Sequence, residues 1–216
     1  QARGLRRAQA QVFMPNAAYE PVYEGVFGRL DIPAHSFEPP YGVEGTRRWL
    51  ACVAALFGRE KEAKRAFERA FAAMADDWRA LRGRALGKTL AFVVVRSQLP
   101  RLSDARFFWG VPVIRVLREM GFKVGVLLYG QSGRGPLNGF TTPEALAKLL
   151  AEGEYGAVYS EFFYDERLVR AGKIQFALSV FEPGLRGATG TLERLLSAVQ
   201  WSFYRRYAPY LGGVGP

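Results

Sequence analysis

The run Lys88-Thr89-Leu90-Ala91-Phe92-Val93-Val94-Val95 constrains the fold more than any other stretch of the chain. A strand with one wet face alternates polar and apolar residues; this one is continuously apolar after its first two positions and rich in β-branched side chains. Such a strand is buried on both faces. It belongs inside a parallel sheet whose crossovers lay helices on either side.

The residues that follow supply those partners. Asp104 is an N-cap for a helix over about 105–120, Gly121 ends it, and 122–128 forms the next strand. After a glycine-rich loop over 129–141, Thr142-Pro143-Glu144 combines a capping side chain, Pro at the first helical position and an early acid, starting a helix through Ala151. A short strand at 156–160, a connecting helix over 161–171, a strand at 174–180 and a last helix, opened by Thr189 or Thr191 and running to about 207, complete the alternation. This spacing is that of a doubly wound sheet with right-handed crossovers.

A smaller set of elements precedes the central strand. Gln11-Val12-Phe13-Met14 reads as a buried strand stopped by Pro15-Asn16, residues 19–30 as a helix with Pro21 in its first turn, and 32–37 as a second strand. Pro39-Pro40-Tyr41-Gly42-Val43-Glu44-Gly45-Thr46 then turns into an amphipathic helix that Gly58 breaks. Residues 59–81 form one long charged helix with Ala63, Phe67, Phe71, Met74 and Trp78 along one face, bridging two lobes, and Gly83 and Gly87 close the connection. The expected fold is α/β: two Rossmann-like lobes with parallel sheets flanked by helices, the first incomplete, divided as 1–58, 59–87 and 88–216. No internal repeat interrupts this order.

Composition bounds the partners. With 216 residues, 49% apolar and 23% charged, the chain can bury a sizeable core. Its formal net charge of +10 favours an anion: a carboxylate-bearing or phosphorylated small molecule, an acidic protein or nucleic acid. The excess is mostly Arg, spread from Arg3 to Arg206 and not gathered in one run, which disfavours nucleic acid. A single cysteine, Cys52, excludes an intrachain disulfide and any self-contained four-cysteine cluster. No window approaches the roughly 18 apolar residues of a membrane span, and 1–11 has charge without the apolar core of a signal peptide. A cytoplasmic chain without a membrane partner is expected, and an opening without Met reads as a cut or processed end.

In open α/β sheets ligands bind beyond the carboxyl ends of the strands. The loops to examine are therefore 15–18, 37–46, 96–104, 129–141, 160–163 and 181–189. Two stretches, Gly42-Val43-Glu44-Gly45-Thr46 and Gly184-Leu185-Arg186-Gly187-Ala188-Thr189-Gly190, combine glycine with a hydroxyl at a helix start. Free backbone donors there suit an anion; simple loop geometry and capping explain the same residues. Gly130-Gln131-Ser132-Gly133-Arg134-Gly135 lacks the Lys-Ser/Thr pair of a phosphate-binding loop and reads as a flexible surface loop. His35 has no second His for a triad and reads as a strand residue, and Cys52, beside Trp49, Val53 and Leu56, as a buried inert thiol. Asp76-Asp77 and 59–69 are solvated helix faces. Aromatics near the loop mouths, among them Tyr41, Phe107, Phe108, Tyr129, Phe162 and Phe163, line a pocket for a flat ligand or pack in the core.

Ile32-Pro33, then the Pro39–Leu50 stretch, then a helix ending in Phe57-Gly58 resembles the nitrogenase component 1 family, which also contains dark-operative protochlorophyllide reductase and related tetrapyrrole reductases. Later motifs keep the same order. Leu81-Arg82-Gly83 with Gly87-Lys88-Thr89-Leu90-Ala91-Phe92 is similar to that family's step into its next strand, Leu117-Arg118-Glu119-Met120-Gly121-Phe122 to its helix-to-strand turn, and Gly184-Leu185-Arg186-Gly187-Ala188 to its late glycine loop. The resemblance runs over about 12–199.

The resemblance implies a component of a reductase: lobes that hold a metallocluster or a tetrapyrrole while a partner iron–sulfur ATPase delivers electrons, within a homo- or hetero-oligomer. The family's cofactor-binding cysteine would follow the Val12-Phe13-Met14 strand, where this chain has Asn16-Ala17-Ala18, and its late-loop histidine would fall near Leu185-Arg186. Cysteines for the bridging cluster would belong to an N-terminal region not represented. An iron–molybdenum-type cofactor is thus not expected to be ligated here. A cysteine-free pocket for an anionic tetrapyrrole, or an iron–sulfur cluster shared with a partner, is what the family leaves.

Its candidate cofactor-binding residues are Tyr41, Gly42, Thr46, Arg47, Arg96, Tyr129, Arg186 and Gly187. The three arginines suit ligand carboxylates, and the aromatic rings a flat face. No catalytic residue and no metal ligand is nominated. The alternative is a noncatalytic ligand-binding, carrier or assembly protein on the same fold.

Overall fold

The structure is a computed structural model and describes residues 8–130, 133–134, 138–201 and 206, with the side chains at 27, 109 and 133–134 outside that description. Arg3, Arg6 and Arg7, most of the expected glycine-rich loop between 131 and 137, and the expected helix end at 202–205 and 207 lie outside the described residues.

Strands β1 (Gln11–Phe13) and β2 (Ala34–Ser36) pair in parallel, Val12 opposite His35, with helix α1 (Glu20–Phe27) as the crossover. Pro21 sits in the first turn of α1, as expected, where its missing N–H costs no helical bond. The first strand is not the buried one expected: Val12 is 42% exposed, and Met14, Val22 and Val26 are exposed with it. A two-stranded sheet with one helix covers only one face, on which Phe13 meets Tyr23 at 4.9 Å between ring centroids.

Helix α2 (Gly42–Ala55) follows directly, and Gly58 at φ +62 turns the chain into α3 (Glu60–Ala72). The single helix expected over 59–81 is two, because α4 (Ala75–Ala85) starts afresh after Ala73 and Met74. Local propensity favours continuity across these alanines, but α3 packs on α2 whereas α4 packs on the last helix of the chain, and the bend serves both supports.

The central run is strand β3 (Thr89–Val95), pairing in parallel with β4 (Lys123–Tyr129) from Thr89↔Lys123 to Val95↔Tyr129. A helix over 105–120 does not form between them. Short 3-10 turns occupy Leu99–Leu102 and Phe108–Gly110, and α5 is only Val113–Glu119. Pro112 at the α5 N-cap explains the late start, since a proline keeps the residue before it out of helical geometry; Asp104 instead holds Arg106 in a local turn through its backbone N–H at 2.9 Å.

Within the expected loop 129–141, β5 (Gly133–Arg134) and β6 (Asn138–Phe140) form an antiparallel pair, and β6 continues the sheet in parallel beside β4. Phe140 is buried there, so this part of the stretch belongs to the core and not to a surface loop. Helix α6 (Pro143–Glu152) begins as expected, Thr142 accepting the Ala145 N–H at 3.2 Å, and β7 (Tyr155–Ser160) follows. The connecting helix expected over 161–171 shrinks to α7 (Glu166–Arg170), because Asp165 caps it and leaves 161–164 as a loop. Strand β8 is Ile174–Gln175 alone, and a 3-10 turn at Leu178–Val180 replaces the rest of the expected strand. Helix α8 (Gly184–Gln200) starts well before Thr189: Thr191 is an interior residue whose hydroxyl accepts the Glu182 N–H at 3.0 Å and donates to Val180 O at 3.1 Å.

The large sheet has the order β5-β6-β4-β3-β7-β8, parallel throughout except β5. Its central strand feeds two cores. Leu90, Phe92 and Val94 meet Leu117, Leu192 and Leu195 on the α5 and α8 side; Ala91 and Val93 meet Leu146, Leu150 and Leu168 on the α6 and α7 side. The α/β class with parallel sheets flanked by helices is therefore present as the continuous apolar run requires.

Candidate functional site

Beyond the carboxyl ends of β1, β7 and β8 lies a cavity of about 990 Å³, walled by Asn16, Tyr41, Phe108, Tyr159, Phe163, Phe176 and their neighbours. The loops that follow the strands build it, as the topology of open parallel sheets dictates. The Ala17 N–H donates to Arg106 O at 3.1 Å and so ties the turn after β1 to the irregular segment after β3. Rings form most of the wall: Tyr159 stands 6.2 Å from Phe108, edge to face, and 6.0 Å from Phe176, while Phe92 supports both Tyr159 and Phe176 from below. Burial raises the phenol pKa of Tyr41, and burial with the nearby Glu161 charge raises that of Tyr159, so both hydroxyls stay protonated donors at neutral pH. Arg106 stands on the rim with its guanidinium on the Asp104 carboxylate at 2.8 Å.

The floor beneath the exposed aromatics Phe162, Phe163 and Tyr164 is a closed polar network. Asp165 is 3% exposed. It accepts from Ser160 Oγ at 2.7 Å and, bidentate, from Arg167 Nε at 2.8 Å and Nη2 at 2.7 Å. Burial pushes its carboxyl upward, but the Arg167 and Ser160 hydrogen bonds outweigh that and leave the pKa below the ordinary value. Gln175 closes the network: its Oε1 accepts the Asp165 N–H at 3.1 Å, and its Nε2 donates to Phe162 O at 2.5 Å. Behind this loop a second cleft of about 610 Å³ opens beyond β3, β4 and β6, with Gln98, Tyr129, Phe140, Thr142 and Arg167 in its wall and Ser160–Phe162 shared with the first.

The structure joins the two glycine-bearing helix starts although they are far apart in sequence. Tyr41 bridges Pro183 in antiparallel fashion and the Gly184 N–H donates to Pro40 O at 2.7 Å, so Tyr41, Gly42, Thr46, Arg186 and Gly187 lie on adjoining segments. Two of the N-terminal amide donors of α2 are already taken. Glu119 Oε1 accepts from Val43 N at 2.7 Å and Glu44 N at 3.0 Å, and Thr46 Oγ1 donates to Gly42 O at 2.6 Å. Glu119 therefore occupies these donors with a carboxyl oxygen from within the chain. The second glycine stretch is the first turns of α8 itself, with Gly187 packed against Glu182 and Arg186 exposed.

The other nominated residues lie elsewhere. Arg47 pairs with Glu44 in a groove between α2, α3 and α4; Arg96 is exposed after β3; Tyr129 lines the second cleft. His35 is a β2 residue stacked on Phe37 at 5.9 Å. Cys52 is exposed, not buried as expected, because α2 turns Val43, Gly45 and Ala54 inward and Cys52 outward.

Sequence reasoning missed Arg106, the Asp165 network and Glu119. Arg106 was hidden inside a helix that does not form. Asp165 carried the signal of an N-cap two residues before Arg167, masked by extending the helix too far upstream. Glu119 is an acid in the last turn of a helix, unfavourable against the helix dipole, and such a residue points to a partner outside its own helix.

Among the described residues, no group of three or more His, Cys, Asp or Glu is placed to hold a metal ion, and no helix is long and apolar enough to cross a membrane. The family model for nitrogenase component 1 type oxidoreductases matches residues 1–182. No curated protein matches. Nitrogenase Cp1 at pH 6.5 superposes with a TM-score of 0.62 at 12% identity, over 98% of this chain and 51% of that one. Nitrogenase Cp1 at pH 5 gives 0.59 at 13% identity, over 98% and 49%. At these identities the likeness is one of fold, and this chain spans about half the length of those chains. With the family model covering most of its length, the chain belongs to the nitrogenase component 1 type oxidoreductase family.

Proposed function

We propose that this chain is a nitrogenase component 1-like oxidoreductase subunit or fragment that binds an anionic tetrapyrrole or related flat cofactor in its aromatic cavity and receives electrons from a partner iron–sulfur ATPase. The observation that carries the reading is the cavity wall itself: rings of Tyr41, Phe108, Tyr159, Phe163 and Phe176 around about 990 Å³ with no thiolate or imidazole in the lining, its charged residues being Glu161 and, at the rim, Arg106 on Asp104. Such a wall suits the faces of a conjugated ring and offers no soft ligand to an iron cluster. A bound tetrapyrrole supplies the conjugated double bonds to be reduced. The chain's own part is to stack the ring, pair its carboxylates, keep the Tyr41 and Tyr159 hydroxyls protonated as donors and exclude water.

Tyr41 and Arg106 stand in or at this cavity, and Gly42, Thr46, Arg186 and Gly187 shape the segments that hold Tyr41; Tyr129 lines the adjoining second cleft, while Arg47, in the groove between α2, α3 and α4, and Arg96, exposed after β3, stand outside the cavity lining. The reading further takes 1–58 as part of a first lobe, 59–87 as a connection and 88–216 as a second lobe, in a cytoplasmic oligomer.

An absorbance titration with protoporphyrin IX tests the binding step. Saturable one-to-one binding, weakened by about tenfold in Arg106→Ala as for a lost charge-assisted contact, is the expected result. Absence of saturable binding overturns it. One observation favours a second reading, a noncatalytic carrier or assembly protein: Asn16, at the turn after β1, faces the cavity where a ligating residue would stand. Turnover with a reductase partner, lost in Arg186→Ala, excludes that reading.

A further inference from the structure

A separate cavity of about 750 Å³ lies between α2, α3 and α4 and shares no lining residue with the aromatic one. Its floor is apolar: Val43, Leu50, Phe67, Phe71 and Trp78, with Phe67 and Phe71 stacked at 6.1 Å and 8°. Volume and lining are those of a small-molecule site.

The charge of this groove runs against that of the chain. The whole protein carries +10, yet the groove is lined by the carboxylates of Glu44, Glu60, Glu68 and Glu119 against the cations Arg47, Lys64 and Arg82. Arg47 pairs with Glu44 and Lys64 with Glu68 at 3.9 Å, which leaves Glu60 and Glu119 facing Arg82, whose Nε donates to the Glu119 backbone carbonyl at 2.9 Å. Glu119 sits beside the apolar floor. Its Oε1 takes the Val43 and Glu44 amides, and its Oε2 accepts no hydrogen bond among the described residues. A partly desolvated carboxylate next to aromatic faces is complementary to an organic cation, which gains both an ion pair and ring contacts.

We propose that the groove between α2, α3 and α4 binds an amine on an apolar body, its ammonium on Glu119 and its hydrocarbon part over Phe67, Phe71 and Trp78. An organic anion of the same shape meets one carboxylate more than cations in this lining and binds more weakly. Neither the family nor the aromatic cavity enters this assignment, so it stands or falls independently of the proposed function.

Calorimetric titration of the purified chain with phenylbutylamine and, separately, phenylbutyrate distinguishes the outcomes. Expected is one-to-one binding of the amine with the acid at least about tenfold weaker, the size of one charge-assisted interaction. Glu119→Gln, which keeps an acceptor for the Val43 and Glu44 amides, weakens the amine by about tenfold while circular dichroism shows the fold retained. Ala63→Trp fills the groove from α3 and abolishes binding without touching Glu119. Equal binding of amine and acid, no binding of either, or amine affinity unchanged in both variants overturns the proposal. So does a concentration-dependent dimer in sedimentation that Ala63→Trp dissolves, because a second copy then fills the groove.

Discussion

Glu119 Oε1 accepts the backbone N–H of Val43 at 2.7 Å, and through this bond the end of α5 caps the start of α2. The bond, with its twin to Glu44 at 3.0 Å, joins residues that are 75 and 76 positions apart. Burial raises the Glu119 pKa above 4.5, and the Glu44 and Val43 amides pull it back only in part. The folded state thus holds the proton more tightly than the unfolded one, and the resulting stability is fully present below about pH 4.5 and lost as pH rises through the folded value. Urea unfolding of wild type and Glu119→Gln across acid and neutral pH checks this: the wild-type advantage is largest in acid and shrinks as pH rises. Glu119→Ala, which strands two donors, costs about 1–3 kcal/mol at neutral pH.

Gly42 is bound into the same contact. Its φ is +75, and a Cβ there would stand 2.5 Å from Glu119 Oε2. Gly42→Ala therefore combines left-handed strain of about 1–2 kcal/mol with displacement of the Glu119 carboxylate from its amides. In a Glu119→Ala background the second part vanishes and only the strain remains. A double-mutant cycle by urea unfolding reads the difference as a coupling energy of about 1 kcal/mol or more.

Asp165 titrates with the opposite sign. Its folded pKa lies below 3.8, so its contribution is present above about pH 3.8 and lost as pH falls through the folded value. Asp165→Asn is expected to cost about 2–3 kcal/mol at neutral pH, where ionised hydrogen bonds to Arg167 and Ser160 are lost, and little in strong acid. Wild type and variant unfolded side by side over the acid range should converge. A constant gap between them would show that the carboxylate charge plays no part.

The parallel sheet was legible because β3 must hide both faces, and each of its residues then had only one arrangement available. The helix starts at Thr142 and Gly42 were legible for a similar reason: hydroxyl, proline and glycine cues act within a few residues. What escaped was decided at longer range. Pro112 stops a helix that Asp104 invites, α8 starts at Gly184 because its glycines let it approach Glu182, and Cys52 turns outward because α2 is oriented by Glu119 from another helix. The cavity was half legible. The loops after β1 and β7 were marked as its place, but Arg106 and Gln175 reach it only through segments whose course depends on packing.

Gly187 and Gly83 test packing against propensity within two helices. A Cβ at Gly187 would stand 2.5 Å from the Glu182 carbonyl oxygen, a backbone atom that cannot swing away, whereas a Cβ at Gly83 meets nothing within 4 Å. Gly187→Ala is expected to destabilise by about 1–3 kcal/mol through overpacking. Gly83→Ala in α4 should stabilise by about 0.5–1 kcal/mol, since alanine restricts the unfolded chain and suits a helix. Urea midpoints of the two variants moving in the same direction would contradict the packing at Gly187.

Phe108 is the only non-glycine among the described residues with positive φ, at 47, and its ring lines the aromatic cavity. Holding an aromatic residue in left-handed geometry costs about 1–2 kcal/mol, and such strain is retained where the position of the side chain matters. Phe108→Gly releases the strain but removes a half-buried ring worth about 1.5–3 kcal/mol, so the two effects nearly cancel and stability falls by about 1 kcal/mol. Ligand binding has no such compensation. The ring stands edge-on to Tyr159 at 6.2 Å, and without it the cavity loses a wall against a flat molecule. Protoporphyrin IX affinity is therefore expected to fall by about tenfold while the urea midpoint barely moves, taking about 1 kcal/mol as the worth of one ring contact with its area. Unchanged affinity with a large loss of stability would make Phe108 a core residue and remove it from the binding surface.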